Sequence, residues 1–269
     1  MTQGSGTRRR VGVLGAGGRM GRVVCAAVAA EADLELVAAV DPARAGADVG
    51  ELAEIGGLSL TMAGSNDALV EAGAEVVVDF TQLEAARANI DFCADNGIHA
   101  VVGTSGFTED DHKAIAARFT SSNCLIAPNF AIGAVLMIRF AELAAPYFDT
   151  AEIIELHHDG KVDAPSGTAV STAERMAAAK GEWAPDPTTS ETIPGARGAR
   201  GPAGIPVHSV RMRGLTAHQE VILGTAGQTL TLRHDSFDRS SFMPGVIMAV
   251  RRIPDVPGLT VGLDGMLDL

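Results

Sequence analysis

Two adjacent histidines and a lysine, His157, His158 and Lys161, stand in one polar stretch, ELHHDGKVDAPSGTA, running from Glu155 to Ala169. Imidazole exchanges protons near neutral pH, and an ammonium group supplies a compact positive charge. The trio can therefore attract an anion and protonate it. The apolar AEIIEL just ahead reads as a strand, and the small-residue run opening at Ser166-Gly167-Thr168 reads as a helix to about Lys180. That order puts a proton donor, a cation and a row of unpaired backbone N–H groups within one loop. Asp163 and Ser166 read as capping and loop-shaping residues, with Pro165 near the first turn.

A second chemical feature lies near the N-terminus. Val11-Gly12-Val13-Leu14 is a short apolar run that stops at GAGGRMG, residues 15–21, after which Met20, Val23, Val24, Ala27 and Val28 recur at helical spacing. Strand, glycine turn and helix make a dinucleotide-binding unit, although Gly15, Gly17 and Gly21 leave the last gap one residue longer than the usual G-x-G-x-x-G. Leu34 to Val40 is a second strand ending in Asp41, about twenty residues past Gly21, where such a fold places the carboxylate that grips the ribose hydroxyls.

Three further strands are expected at Val76–Phe80, His99–Val102 and Cys124–Ala127, separated by helices on which Ala86, Ile90 and Cys93 share one face. Apolar strands alternating with helices imply a parallel sheet covered on both faces, with ligands at the carboxyl ends of the strands. Past residue 130 the pattern changes. A helix over about Ile132–Ala145 precedes the polar loop, residues 181–206 are rich in proline and glycine, and three segments follow with period-two alternation: Val207–Arg213, Ala217–Leu223 and Gln228–His234. Phe242–Ile253 reads as a final helix and 254–269 as a tail. The expected fold is α/β. A Rossmann-like parallel-sheet nucleotide-binding domain (1–130 with 241–269) accompanies an α+β substrate and tetramerisation domain (131–240) with a mixed, largely antiparallel sheet.

Composition narrows the function classes. A chain of 269 residues, 46% hydrophobic and 20% charged, can bury full cores and suits two domains. With 33 acidic against 21 basic residues the net charge of −12 argues against nucleic acid or an anionic membrane as partner. No apolar run reaches bilayer length, and MTQGSGTRRR carries no apolar signal core, which places the protein in the cytoplasm. Cys25, Cys93 and Cys124 each stand alone in an apolar segment, so they read as buried free thiols, and no metal site is expected.

Taken together, GAGGRMGR, DFT at 79–81, GTSGF at 103–107, APNFAIG at 127–133 and ELHHDGKVDAPSGTA at 155–169 resemble the dihydrodipicolinate reductases, also called 4-hydroxy-tetrahydrodipicolinate reductases. The likeness spans nearly the whole chain and departs only in GTS where GTT is commoner. It implies reduction of a cyclic dicarboxylate imine by NADH or NADPH, with loss of water, in lysine and diaminopimelate synthesis, by a homotetramer. It further implies His157 as proton donor/acceptor, Lys161 as proton donor, and His158, Gly167 and Thr168 as substrate contacts. For the cofactor it implies Gly15, Ala16, Gly17, Gly18, Arg19, Met20, Asp41, Gly103, Thr104, Ser105, Ala127, Pro128, Asn129 and Phe130. Asp41, followed by Pro42 rather than an arginine, points to NADH at least as good as NADPH, while Arg19 or Arg44 could still neutralise a 2′-phosphate. A different Rossmann dehydrogenase would need no HHxxK loop, and a non-catalytic relative would not need both His157 and Lys161.

Overall fold

The computed structural model describes residues 8–267, so the leader reading of residues 1–7 and the last two residues of the tail lie outside the described residues. In chain order, β1 (Arg9–Leu14) is followed by α1 (Arg19–Ala30), β2 (Leu34–Val40) and the short helices α2 (Val49–Leu52) and α3 (Asp67–Glu71). Next come β3 (Val76–Asp79), α4 (Leu83–Asp95), β4 (His99–Val102), α5 (Glu109–Arg118) and β5 (Cys124–Ile126). The middle of the chain holds α6 (Ile132–Ala144), β6 (Thr150–His157), α7 (Gly167–Ala179), β7 (Ala199–Arg200), β8 (Pro206–Arg211), β9 (Ala217–Thr225) and β10 (Gln228–Ser236). The chain ends with α8 (Met243–Arg252) and β11 (Leu259–Val261). Two compact units result: residues up to Phe130 together with those from Phe242, and Ala131–Ser241.

The first unit is a six-stranded sheet in the order β11-β5-β4-β3-β1-β2, with every neighbouring pair parallel. Its central strands are β-branched and dry. Val11, Val13, Val76, Val77, Val78, Val101 and Val102 are all fully buried, as a sheet covered on both faces demands. Helix α4 turns Ala86, Ile90 and Cys93 toward Val77, Val102 and Phe119 in one core. Because β1 leads to β2 on one side and the later strands run off on the other, the order reverses between β1 and β3. A crevice at that reversal, at the carboxyl ends, is where such sheets take ligands.

The tail reading needs correction. Residues 259–261 form β11, which extends the sheet by pairing in parallel with β5, Leu259 opposite Cys124 and Val261 opposite Ile126. Three residues are too few for periodicity to register. The same shortness hid α2 and α3.

The second unit is a five-stranded mixed sheet, β10-β9-β6-β8-β7, in which only β6 and β8 run parallel. Alternation along β6 sends Ala151, Ile153 and Glu155 to one face and leaves Ile154 and Leu156 half-buried on the other. Ile153, Val207, Val221 and Leu223 on the inner face pack with Ala141, Ala173 and Met176 of α6 and α7. The cysteines are buried and free, and burial pushes the Cys25 and Cys93 thiols up to about 12. Among the described residues no helix is long and apolar enough to cross a membrane.

Candidate active site

In the first unit the residues expected to hold a dinucleotide all stand at the carboxyl edge of the sheet. Gly15 closes the turn after β1 at φ +69°, a conformation glycine adopts without strain. A Cβ on Gly21 would lie 2.1 Å from the Gly15 carbonyl oxygen, so α1 can seat against the turn only with glycine there. The displaced third glycine thus still does the packing the motif requires. Gly18 begins α1 without any side-chain cap and no acid stands in the first turn, which leaves the helix N-terminus free to face an anion. Asp41, at the end of β2, accepts from Gly17 N at 3.1 Å and from Ala43 N at 3.0 Å. Two carboxylate oxygens retain acceptor capacity for ribose hydroxyls after those bonds. The stem of Arg44 passes close to Gly17, beside the same carboxylate. The residues present fit a dinucleotide.

Further along this edge, Gly103 follows β4 with its N–H on Asp79 O at 2.8 Å, and Ala127 follows β5 with its N–H on Val102 O at 2.9 Å. The Phe80 ring lies on Gly103, where no side chain could fit, and tilts against Phe130 with centroids 5.7 Å apart. Ser105 and Pro128 are exposed, Thr104 and Phe130 buried. The turn that carries Phe80 rests on a polar cluster the sequence reading missed. The buried Asp79 carboxylate accepts from Thr81 N (2.7 Å) and Asn89 Nδ2 (2.8 Å), and Asn89 Oδ1 accepts from Asn66 Nδ2 (2.8 Å). Thr104 Oγ1 donates to Thr81 O at 2.8 Å, tying the β3 and β4 turns together. Burial pushes the Asp79 carboxyl up, and the hydrogen bonds from Thr81 and Asn89 offset this only in part.

In the second unit, β6 ends at His157 and the loop runs to α7. Ser166 caps α7, its Oγ accepting from Ala169 N at 3.2 Å, and the N–H groups of Gly167 and Thr168 have no intrahelical acceptor. Pro165 falls one residue outside that cap rather than in the first turn. A Cβ on Gly167 would meet nothing within 4 Å, so there is open space over the helix end. The first turn is braced from within: Thr172 Oγ1 donates to Thr168 O (2.7 Å) and receives Gln219 Nε2 (2.8 Å). Asp163 is no cap. Both its oxygens take Lys161 Nζ, at 2.8 and 2.7 Å, and that lysine holds the carboxyl below its ordinary value. Since Asp163 is exposed, the pair is weak and an incoming anion can displace it. His158 is exposed, with its backbone N–H on Thr216 O.

His157 is only 15% exposed along its side chain, and its Nδ1 lies 2.5 Å from Glu155 Oε2. Glu155 has no exposed side-chain surface. It is clamped by both Arg211 terminal nitrogens at 2.8 Å and also accepts from Ser166 N at 3.2 Å. Burial pushes Glu155 up, but Arg211, Ser209 and His157 together outweigh it and hold the carboxyl below its ordinary value. Burial pushes His157 down; Glu155 opposes this, Lys161 and Arg211 reinforce it, and the net direction is down. Sequence spacing could have flagged Glu155, two residues before His157 on the same strand face. Nothing local marks Arg211, which the β6–β8 register brings opposite His157. Among the described residues no group of three or more His, Cys, Asp and Glu side chains converges as a metal site.

Comparison with known proteins places these features in one family. The model for the dihydrodipicolinate reductase N-terminus matches residues 9–130, and that for the C-terminus matches 133–267. The 4-hydroxy-tetrahydrodipicolinate reductase of Mycobacterium marinum is 52% identical over 97% of this chain and 99% of its own length. That of Corynebacterium urealyticum is 49% identical with the same coverage. Among solved structures, the dipicolinate-bound dihydrodipicolinate reductase from Paenisporosarcina sp. TG-14 superposes with a TM-score of 0.86 at 38% identity, covering 97% of this chain and 100% of that one. An amine dehydrogenase from Mycobacterium smegmatis, at 14% identity and a TM-score of 0.65, shares the fold.

The Asp79 cluster yields a pH-dependent expectation. A carboxyl whose folded pKa is raised contributes its full stability below its unfolded value and loses it as pH rises through the folded value. Asn89→Leu removes a donor to the anion and raises the folded value further. The variant should lose roughly 1–3 kcal/mol, with the larger loss at neutral pH and the smaller in mild acid. Denaturant unfolding at the two pH values measures this, and equal losses would show that the protonation of Asp79 does not change between them.

Proposed function

The chain belongs to the dihydrodipicolinate reductase family, and from that premise we propose which of its residues perform the family's reaction. The activity is reduction of 4-hydroxy-tetrahydrodipicolinate to tetrahydrodipicolinate with a nicotinamide dinucleotide, the 4-hydroxyl leaving as water, in lysine and diaminopimelate biosynthesis. The observation that carries the residue assignment is the loop between β6 and α7. It combines a half-buried imidazole, a lysine paired with an exposed carboxylate, and two N–H groups without an intrahelical acceptor at a helix end under open space.

Gly167 and Thr168 receive one carboxylate of the cyclic dicarboxylate at the α7 N-terminus, where the helix dipole favours negative charge. His158 and Lys161 meet the remaining negative charge, Lys161 leaving Asp163 to do so. The relative solved with dipicolinate bound supports a small dicarboxylate of this kind. A dinucleotide held by the first unit would supply the hydride. Lys161 then donates the proton that the reduced ring requires, and His157 exchanges protons beside it, its depressed pKa keeping it mostly neutral near pH 7. Gly15 to Met20, Asp41, Gly103 to Ser105 and Ala127 to Phe130 hold the dinucleotide along the carboxyl edge of the parallel sheet. The reaction runs in the cytoplasm, where reduced nicotinamide cofactors are at hand.

Lys161→Ala should lower kcat by about 10²-fold or more. The measurement is loss of nicotinamide absorbance with the upstream synthase generating substrate in the cuvette, and unchanged turnover would remove Lys161 from the reaction. The carboxylate of Asp41 favours free ribose hydroxyls, and Arg44 beside it can accept a 2′-phosphate, so both cofactors should serve with NADH at least as good. The ratio of kcat/KM for the two decides this; a strong preference for NADPH would contradict it. Finally, Ile154, Leu156, Val210 and Ile222 lie half-buried off the core face of the second sheet, and β10 is an edge strand with β9 as its single partner among the described residues. Four half-buried apolar side chains set among polar neighbours such as Glu152, His208 and Glu220, on a face beside an open edge, support a homotetramer joined through this sheet. Light scattering should return four times the chain mass, and a monomer would refute the assembly.

A further inference from the structure

We propose that Glu155 is a positioning residue for the reaction. Fixed by Arg211 and by the start of α7, its carboxylate holds the His157 ring with the Nδ1 proton turned inward, so that Nε2 is the nitrogen that exchanges protons with substrate. The inference rests on the reading of His157 as a proton-exchanging residue and goes beyond it by naming what sets the tautomer.

Donors from three stretches of chain meet on this one carboxylate. Arg211 Nη2 and Ser166 N point at Oε1, at 2.8 and 3.2 Å; Arg211 Nη1 and His157 Nδ1 point at Oε2, at 2.8 and 2.5 Å. The clamp follows from the sheet. Glu155 lies on the inner face of β6 opposite Ser209, and Arg211 lies two residues on, opposite His157, so its guanidinium reaches back to Glu155. Arg211 Nη2 also donates to Asp163 O at 2.6 Å, which fixes the loop on the far side of Lys161. An unpaired carboxylate in so dry a place would take up a proton. The planar fork of Arg211 keeps it ionised instead.

Ionisation decides the tautomer. A carboxylate only accepts hydrogen bonds, so the bond to His157 requires the proton on Nδ1 and leaves the lone pair on Nε2. When Nε2 gains a proton, the positive ring stands against a negative partner; when it loses it, the ring stays aligned. Two cations, Lys161 and Arg211, act on the same ring against its protonation, and the Glu155 carboxylate opposes them. A glutamine would reverse this. One of its ends is an amide that donates, and Arg211 favours the carbonyl end for itself, which presents the amide to Nδ1 and moves the ring proton to Nε2.

The test compares wild type, Glu155→Gln and His157→Gln in full-length protein. Expected for Glu155→Gln are a fall in kcat of about 10- to 100-fold, a smaller change in KM, and a shift of the His157 limb of the pH profile toward acid. A tether without electrostatic function would alter KM or stability and leave that limb in place, and this result would overturn the proposal. His157→Gln separates the two levels. Full activity there removes the premise, whereas its inactivity beside a Glu155→Gln enzyme with wild-type kcat and an unmoved limb refutes the Glu155 role alone. Should Glu155→Gln not fold, nitrogen NMR of the His157 ring in wild-type protein still decides: a proton on Nδ1 is expected, and one on Nε2 in the neutral ring overturns the assignment.

Discussion

A carboxylate with no access to water is costly unless donors surround it, and Glu155 is surrounded. The arrangement of the second unit follows from meeting that demand. Strand β8 must lie parallel to β6 in the register that puts Arg211 within reach, and α7 must begin where Ser166 N can point back to the strand. Three separate stretches of chain are thereby held at one point, two oxygens wide. Breaking one partner of such a cluster would leave the others charged and unpaired, which is why buried ion pairs resist piecemeal change. The cost of keeping a charge there is offset by Arg211 and Ser166, which also fix the base of the loop, while Val162 at its tip stands fully in solvent.

Both units leave the N-terminus of a helix without an acid in its first turn, with different fittings. The start of α1 has a bare glycine at the cap and a glycine behind it that lets the helix sit down on the preceding turn. The start of α7 has a serine cap and an internal brace through Thr172 and Gln219. Neither first turn carries an acid, although the chain is strongly acidic overall. Local backbone dipoles, more than net charge, thus set where anions can settle.

Much of this was legible in the sequence. Strand β2 and strand β4 lie at Leu34–Val40 and His99–Val102, the bounds their apolar runs indicated, and the helices before and after the polar loop end within a residue or two of the expected places. Those elements announce themselves because burial on one or both faces imposes a period. The glycine turn and the HHxxK loop were legible for another reason: their residue types are chosen by chemistry. What escaped was whatever depends on distant partners or very short spans. Arg211 owes its role to strand register, Asn89 to the helical turn that aims it at Asp79, and β11 to an edge left open by β5. None of these leaves a local signature.

The pairing of β11 with β5 also sets an order of events during synthesis. Strands β1 to β5 leave the ribosome early, yet the outer edge of β5 acquires its neighbour only when residues 259–261 follow, beyond the whole of the Ala131–Ser241 unit. The Ala131–Ser241 unit is by then complete in sequence and can fold as a body of its own. The first sheet is thus begun before that unit and completed after it, and through the interval an exposed strand edge must be kept from pairing with other chains.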